Sequence, residues 1–195
     1  MINSKVFLLV GLGNPGERYI GTRHNIGFHT IDYVAEVFQV GFRYKDSFSG
    51  AIAQVKTSSC DLFLLKPTTY MNNSGISVAS VLNFYKLAPE QLIVIHDELD
   101  ILPGDIRLKQ GGGFAGHNGL RSIQHSITTS SFWRIRVGIG HPRLLNSRQN
   151  VSDFVLNKPT CDEFCSISSA IERFRSSIDS LVKGDFEFLQ KSLKI

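Results

Sequence analysis

Apolar residues in this chain follow two rhythms. Short unbroken runs alternate with stretches in which apolar positions recur every three or four residues. The runs predict strands over Lys5 to Val10, Phe48 to Val55, Asp61 to Lys66, Leu92 to His96, Ile106 to Lys109 and Phe132 to Ile139. The helical spacing of Ile31, Val34, Ala35 and Phe38 predicts a helix from about Asn25 to Gln39. Val78, Val81, Leu82 and Tyr85 mark a second helix, and Leu120, Ile123 and Ile127 a third. Phe164, Ile167, Ile171, Phe174, Ile178 and Leu181 step along one long C-terminal helix. Strands alternating with helices define an α/β fold: a largely parallel sheet with helices on both faces. No repeat or linker divides the 195 residues, so one domain over 1–195 is expected. In such sheets ligands bind beyond the carboxyl ends of the strands. A motif that follows a strand is therefore a candidate for chemistry.

Composition narrows the class. The chain is 42% hydrophobic, with no run near the roughly 20 apolar residues of a membrane span. No signal-peptide pattern is present, so a soluble cytosolic protein is expected. Three widely spaced cysteines, Cys60, Cys161 and Cys165, make no disulfide framework, and reduced thiols are expected. Charge is uneven. Residues 101–158 hold eight basic and two acidic side chains, giving +6, which leaves −2 of the overall +4 for the rest. A basic half suits a polyanionic partner, nucleic acid first. On the strand from Phe132, Arg134 and Arg136 share the face opposite Trp133, Ile135, Val137 and Ile139. Arg107 and Lys109 share a face of their own strand. Such paired cations could track phosphates, and a solvated sheet edge would look the same.

Five segments could carry chemistry. Gly11-Leu12-Gly13-Asn14-Pro15-Gly16 follows a strand and matches the dinucleotide fingerprint. The following Glu17 to Thr22 lacks the small apolar helical face that a pyrophosphate-binding helix needs, so a nicotinamide or flavin enzyme is disfavoured. Thr22-Arg23-His24-Asn25 places a histidine just before a helix, with an ordinary pKa suited to a general base. His96-Asp97-Glu98-Leu99-Asp100 follows a strand and offers a carboxylate that could orient an imidazole. No His-Glu-x-x-His pattern accompanies it, and no metal is expected. Tyr70-Met71-Asn72 precedes a helix with an aromatic, a thioether and an amide able to meet a peptide group. Gly111 to Leu120 is a glycine-rich loop leading into a helix, of the kind that lets backbone approach a ligand. A serine hydrolase is a further possibility, but no Gly-x-Ser-x-Gly occurs.

Taken in order, and with Arg134-Ile135-Arg136-Val137-Gly138-Ile139-Gly140-His141-Pro142 added, these motifs resemble the bacterial peptidyl-tRNA hydrolase family from Val6 to Lys158. The resemblance implies a single-domain, three-layer sandwich with a mixed, twisted sheet. It implies hydrolysis of the ester between a peptide and the terminal ribose of tRNA, with no cofactor and no metal. His24 would be the general base and Asp97 the carboxylate that orients it. Asn14 would help distinguish blocked from free aminoacyl groups and could contact the oxyanion. Asn72 and Asn118 would hold the peptide end, beside Tyr19, Tyr70 and Met71. Lys109 and Arg136 would contact the tRNA backbone. The expected partner is peptidyl-tRNA, with no membrane and a monomeric chain. The alternative is a non-catalytic RNA-binding relative acting in RNA processing. Two departures stand out: Phe114-Ala115 replaces His-Gly of many relatives, and Arg143 to Asn150 lacks a usual glycine. The polar interval Leu144 to Asn150 is expected to be a mobile loop.

Overall fold

The computed structural model describes residues 5–145 and 148–193. Seven strands form one sheet: β1 (Lys5–Gly11), β2 (Arg43–Lys45), β3 (Gly50–Lys56), β4 (Cys60–Pro67), β5 (Leu92–Glu98), β6 (Ile106–Gln110) and β7 (Trp133–Gly138). The order is β2-β3-β4-β1-β5-β7-β6. The central strands β4, β1, β5 and β7 are parallel, whereas β2, β3 and β6 join antiparallel at the flanks. The mixed, largely parallel sheet agrees with the sequence reading.

The central strands are apolar on both faces because both faces are covered. Phe7 and Leu9 of β1, Leu62 and Leu64 of β4, and Ile93 and Ile95 of β5 join one core cluster. That cluster also takes in α1 (Ile26–Val37), α5 (Cys161–Phe174), α6 (Ile178–Lys183) and α7 (Phe186–Ser192). Leu8, Val10, Phe63, Leu65, Leu92 and Val94 alternate with them and pack against α2 (Ser74–Tyr85) and α3 (Asn118–Ile127). Three layers result.

The structure corrects several boundaries. β5 runs on through Asp97 and Glu98, so the candidate carboxylate sits on the rigid strand end rather than after it. A 3₁₀ turn, Asp46–Phe48, precedes β3, and the short edge strand β2 carries no apolar signal to find it by. The long C-terminal helix is broken. Its apolar stripe continues through a 3₁₀ turn, Arg175–Ser177, which keeps Phe174, Ile178 and Leu181 buried on the sheet. Gly184, in the left-handed region (φ 67°), then ends α6. Of the interval taken as a loop, Leu144 and Leu145 follow a turn at His141 and Leu145 packs against the core. Residues 146 and 147 lie outside the described residues. The short helix α4 (Val151–Leu156) follows, capped by the Asn150 side chain on Asp153 N–H at 2.8 Å.

Candidate active site

The parallel strands β4, β1, β5 and β7 end at one rim, and four loops converge there. Gly27 makes the closest approach possible. A Cβ at that position would lie 2.5 Å from Leu12 N, Leu12 O and Ile95 O. With hydrogen alone there, Phe28 N–H donates to Leu12 O (3.1 Å) and the start of α1 sits directly on β1 and β5. The 3₁₀ turn before it, Arg23–Asn25, thereby brings His24 to Asp97.

His24 Nδ1 lies 3.0 Å from both carboxylate oxygens of Asp97. A carboxylate is an acceptor only, so Nδ1 carries the proton and Nε2 carries the lone pair. Beside it, His117 Nε2 lies 2.9 Å from Asp97 Oδ1, with the two imidazole rings 4.9 Å apart. Leu120 N–H donates to His117 Nδ1 (3.4 Å), which leaves the His117 proton on Nε2. Asp97 therefore accepts from two imidazoles. Burial alone would raise its pKa, but the two imidazoles hold it well below the usual carboxylate range. Burial acts to lower the His24 pKa; the charge of Asp97 and its hydrogen bond outweigh this, and the net shift is upward. His24, Asp97 and His117 are also the one cluster among the described residues with metal-ligand potential. Their donor atoms meet each other directly as hydrogen-bonded pairs, each with its proton accounted for, and this fits an orienting dyad better than a metal cage.

Asn14 is clamped beside them. Asn25 Oδ1 accepts from Asn14 N–H (2.8 Å), and Asn25 Nδ2 donates to Asn14 O (2.9 Å). The Asn14 side-chain oxygen accepts from Met71 N–H at 2.8 Å. That bond fixes the amide orientation and leaves Asn14 Nδ2 without a hydrogen-bond partner among the described residues. His24, Asp97, His117, Asn14 and Met71 line one cleft of about 690 Å³, within the usual range for a ligand site. The same cleft gathers Tyr19, Tyr70, Asn72 and Asn118. Asn72 lies in the 3₁₀ turn Met71–Asn73, and Asn118 begins α3; both are exposed. Tyr19 and Tyr70 meet edge to face at 6.4 Å, with Arg18 4.6 Å over Tyr19.

Two expected site residues lie elsewhere. Lys109 is exposed on the edge strand β6, and Arg136 donates to Glu98 Oε2 at 2.8 Å; neither lines the cleft. Arg134 corrects the idea of paired phosphate-tracking cations, because it is 2% exposed. It donates to the carbonyls of Gly111 and Gly113 and lies 5.4 Å under the Phe114 ring. The glycine-rich loop explains this. β6 is antiparallel, so Gln110 pairs with Trp133 at the sheet end away from Asp97. The loop must recross about 13 Å of sheet, four strand residues, to deliver His117. Left-handed Gly111, Gly112 and Gly116 (φ 62°, 83°, 85°) allow the path, and Arg134 pins it. Ala115 also sits at φ 46°, a conformation that favours glycine.

Sequence reasoning gave His117, Asn25 and Arg134 no role in the site. Their only sequence signals were the histidine before a helix start, an asparagine beside His24, and a cation in an apolar strand.

A histidine held by a buried carboxylate, facing an amide-lined cleft at the rim of a mixed α/β sheet, is an arrangement that fits a hydrolytic enzyme. A family model described as peptidyl-tRNA hydrolase matches residues 8–194. The peptidyl-tRNA hydrolase of Bordetella avium is 50% identical over 185 residues, covering 95% of this chain and 89% of that protein. That of Nitrosomonas europaea is 48% identical, covering 93% and 91%. The crystal structure of the enzyme from Acinetobacter baumannii superposes with a TM-score of 0.90 at 42% identity, covering 97% of this chain and 95% of that one. This chain belongs to the peptidyl-tRNA hydrolase family.

Proposed function

We propose that the chain hydrolyses the ester joining a peptide, or an N-blocked aminoacyl group, to the terminal ribose of tRNA. The observation that carries the mechanism is the His24–Asp97 pair, with Nδ1 spent on the carboxylate and Nε2 without a hydrogen-bond partner among the described residues. Nε2 takes a proton from water as the water oxygen attacks the ester carbonyl. The tetrahedral intermediate then expels the ribose oxygen, which accepts the proton from the His24 imidazolium. Such general-base help is worth about 10²- to 10⁴-fold. Asp97 sets the tautomer and stabilises the imidazolium, as His117 holds Asp97.

Asn14 Nδ2 is the donor assigned to the developing oxyanion, a role worth about 3 to 4 kcal/mol where such donors have been removed. Asn72 and Asn118 grip the peptide main chain beside Tyr19, Tyr70 and Met71. Amides recognise backbone rather than side chains, which suits an enzyme that accepts any nascent peptide. An ester needs neither a covalent nucleophile nor a metal for this chemistry, because its carbonyl is electrophilic and its alkoxide leaves readily. Lys109 and Arg136 are assigned to the tRNA backbone, Arg136 through a guanidinium that Glu98 orients. We assign the activity to a single cytoplasmic chain. Nothing observed favours a non-catalytic RNA-binding role.

The test is cleavage of N-blocked aminoacyl-tRNA against the same aminoacyl-tRNA with a free amine, in chelator-treated buffer. The blocked substrate should be cleaved at least tenfold faster. Equal rates on both, or no cleavage of either, would reject the proposal.

A further inference from the structure

The residue before His24 is buried, charged and unused by the mechanism above. Arg23 is 5% exposed. Its Nη1 donates to the carbonyls of Phe154 (3.2 Å), Asn157 (3.3 Å) and Lys158 (3.0 Å), all at the C-terminal end of α4. Its Nη2 is bonded to Glu163 of α5, and its guanidinium lies 4.0 Å over the Phe154 ring. Arg23 N–H also donates to Asn157 O at 3.1 Å. The same Glu163 oxygen accepts from Thr160 N–H (2.8 Å), closing the capping box of α5. A single planar fork therefore joins three elements: the turn carrying His24, the end of α4 and the start of α5.

Helix α4 needs such a tether. Six residues are far too few for a helix to persist on its own. Cations at the C-terminal carbonyls stabilise a helix through hydrogen bonds and its dipole. Phe154 and Val155 anchor α4 below, while Val151, Ser152, Val155 and Leu156 line the cleft opposite the catalytic turn. Val151 and Leu156 remain 39% exposed there, an apolar wall facing the space that holds His24.

We infer that Arg23 is a positioning residue for the hydrolysis: its guanidinium fixes α4 as the wall of the substrate cleft at a set distance from the turn that carries the base. The inference rests on the cleft being the peptidyl-ester site. Wall contacts are made alike in the ground state and the transition state, so their loss raises KM and spares kcat. An ammonium cannot replace the fork, because it cannot span three carbonyls and a carboxylate at once.

The experiment is steady-state hydrolysis of an N-blocked aminoacyl-tRNA by wild type, Arg23→Lys and Glu163→Gln, each across pH. Arg23→Lys should raise KM about tenfold with kcat within about threefold and the pH midpoint of kcat unmoved. Glu163→Gln keeps an acceptor and should raise KM in the same direction by less. In a Val151→Ala/Leu156→Ala background, Arg23→Lys should cost under half as much on a logarithmic scale, since the wall it positions is already gone. A fall in kcat with KM unchanged, a displaced pH midpoint, or full additivity in that background would overturn the inference. If Arg23→Lys does not fold, an unchanged KM in Glu163→Gln overturns it alone. A wild-type chain that leaves the substrate intact would instead overturn the assignment of the cleft.

Discussion

His117 Nε2 lies 2.9 Å from Asp97 Oδ1, so the carboxylate that orients His24 is itself held by a second imidazole. Hydrogen bonds to a charged group contribute about 1.5 to 3 kcal/mol each. Two of them, converging on Oδ1, keep a buried Asp97 ionised. The three members are held in place because they sit on a strand end, a helix-entry turn and a helix N-cap.

The pH dependence of the rate follows from the pair. Asp97 is ionised throughout the neutral range, and the His24 pKa is raised above its ordinary 6.5. Only unprotonated His24 can act as base, so kcat/KM should rise with pH through a midpoint above 6.5. Asp97→Asn removes the charge that raises the His24 pKa and leaves the burial that lowers it. The midpoint should move to lower pH and the plateau should drop at least tenfold. A pH–rate profile of kcat/KM for both enzymes checks this; an unmoved midpoint would contradict it.

Acid stability should depend on a different histidine. His96 is 1% exposed, donates from Nδ1 to Asp97 O (2.7 Å), and leaves Nε2 buried without a partner among the described residues. Burial first, then the neighbouring His117, puts its pKa well below 6.5. A depressed folded pKa gives stability that is present above about 6.5 and lost as pH falls. Asp97 acts in the same sense, with its contribution present above about 3.8 and lost as pH falls toward its low folded value. His24 acts oppositely: its contribution is present below 6.5 and fades as pH rises through its raised value. His96→Asn keeps a donor near the Nδ1 position and removes the titration. Its Tm should fall less between pH 7 and pH 5 than that of wild type. Parallel Tm curves would show that His96 does not contribute.

Lys109 tests the RNA face. It is exposed on β6 beside Arg107, outside the cleft. Lys109→Ala should weaken tRNA binding and lower the slope of log K against log salt by about 1, with kcat little changed. A slope equal to that of wild type would remove Lys109 from the interface.

Much of this was legible in the chain. The apolar runs of β1, β4 and β5 revealed the sheet because strands buried on both faces read as continuous hydrophobic stretches. His24, Asp97, Asn14, Asn72 and Asn118 were singled out by their motifs and the family resemblance, and all five line the one cleft. Other features were hidden for physical reasons. The break at 175–177 leaves the apolar stripe intact, so periodicity cannot see it. Arg134 reads as a surface cation because strand alternation does not report the loop that folds back over it. The third member of the centre, His117, follows an antiparallel strand, whose end points away from the site. Only the three-dimensional return of the glycine-rich loop brings it to Asp97. Helix α4 is invisible to pattern because its six residues are held by Arg23 rather than by their own propensity.

The most direct measurement is turnover of N-blocked aminoacyl-tRNA by His24→Ala, with tRNA affinity and Tm recorded on the same preparation. With the base removed and the cleft intact, kcat/KM should fall about 10²- to 10⁴-fold while tRNA binds within threefold of wild type. Turnover near the wild-type rate in a folded, tRNA-binding His24→Ala would contradict the account, whatever the other variants do.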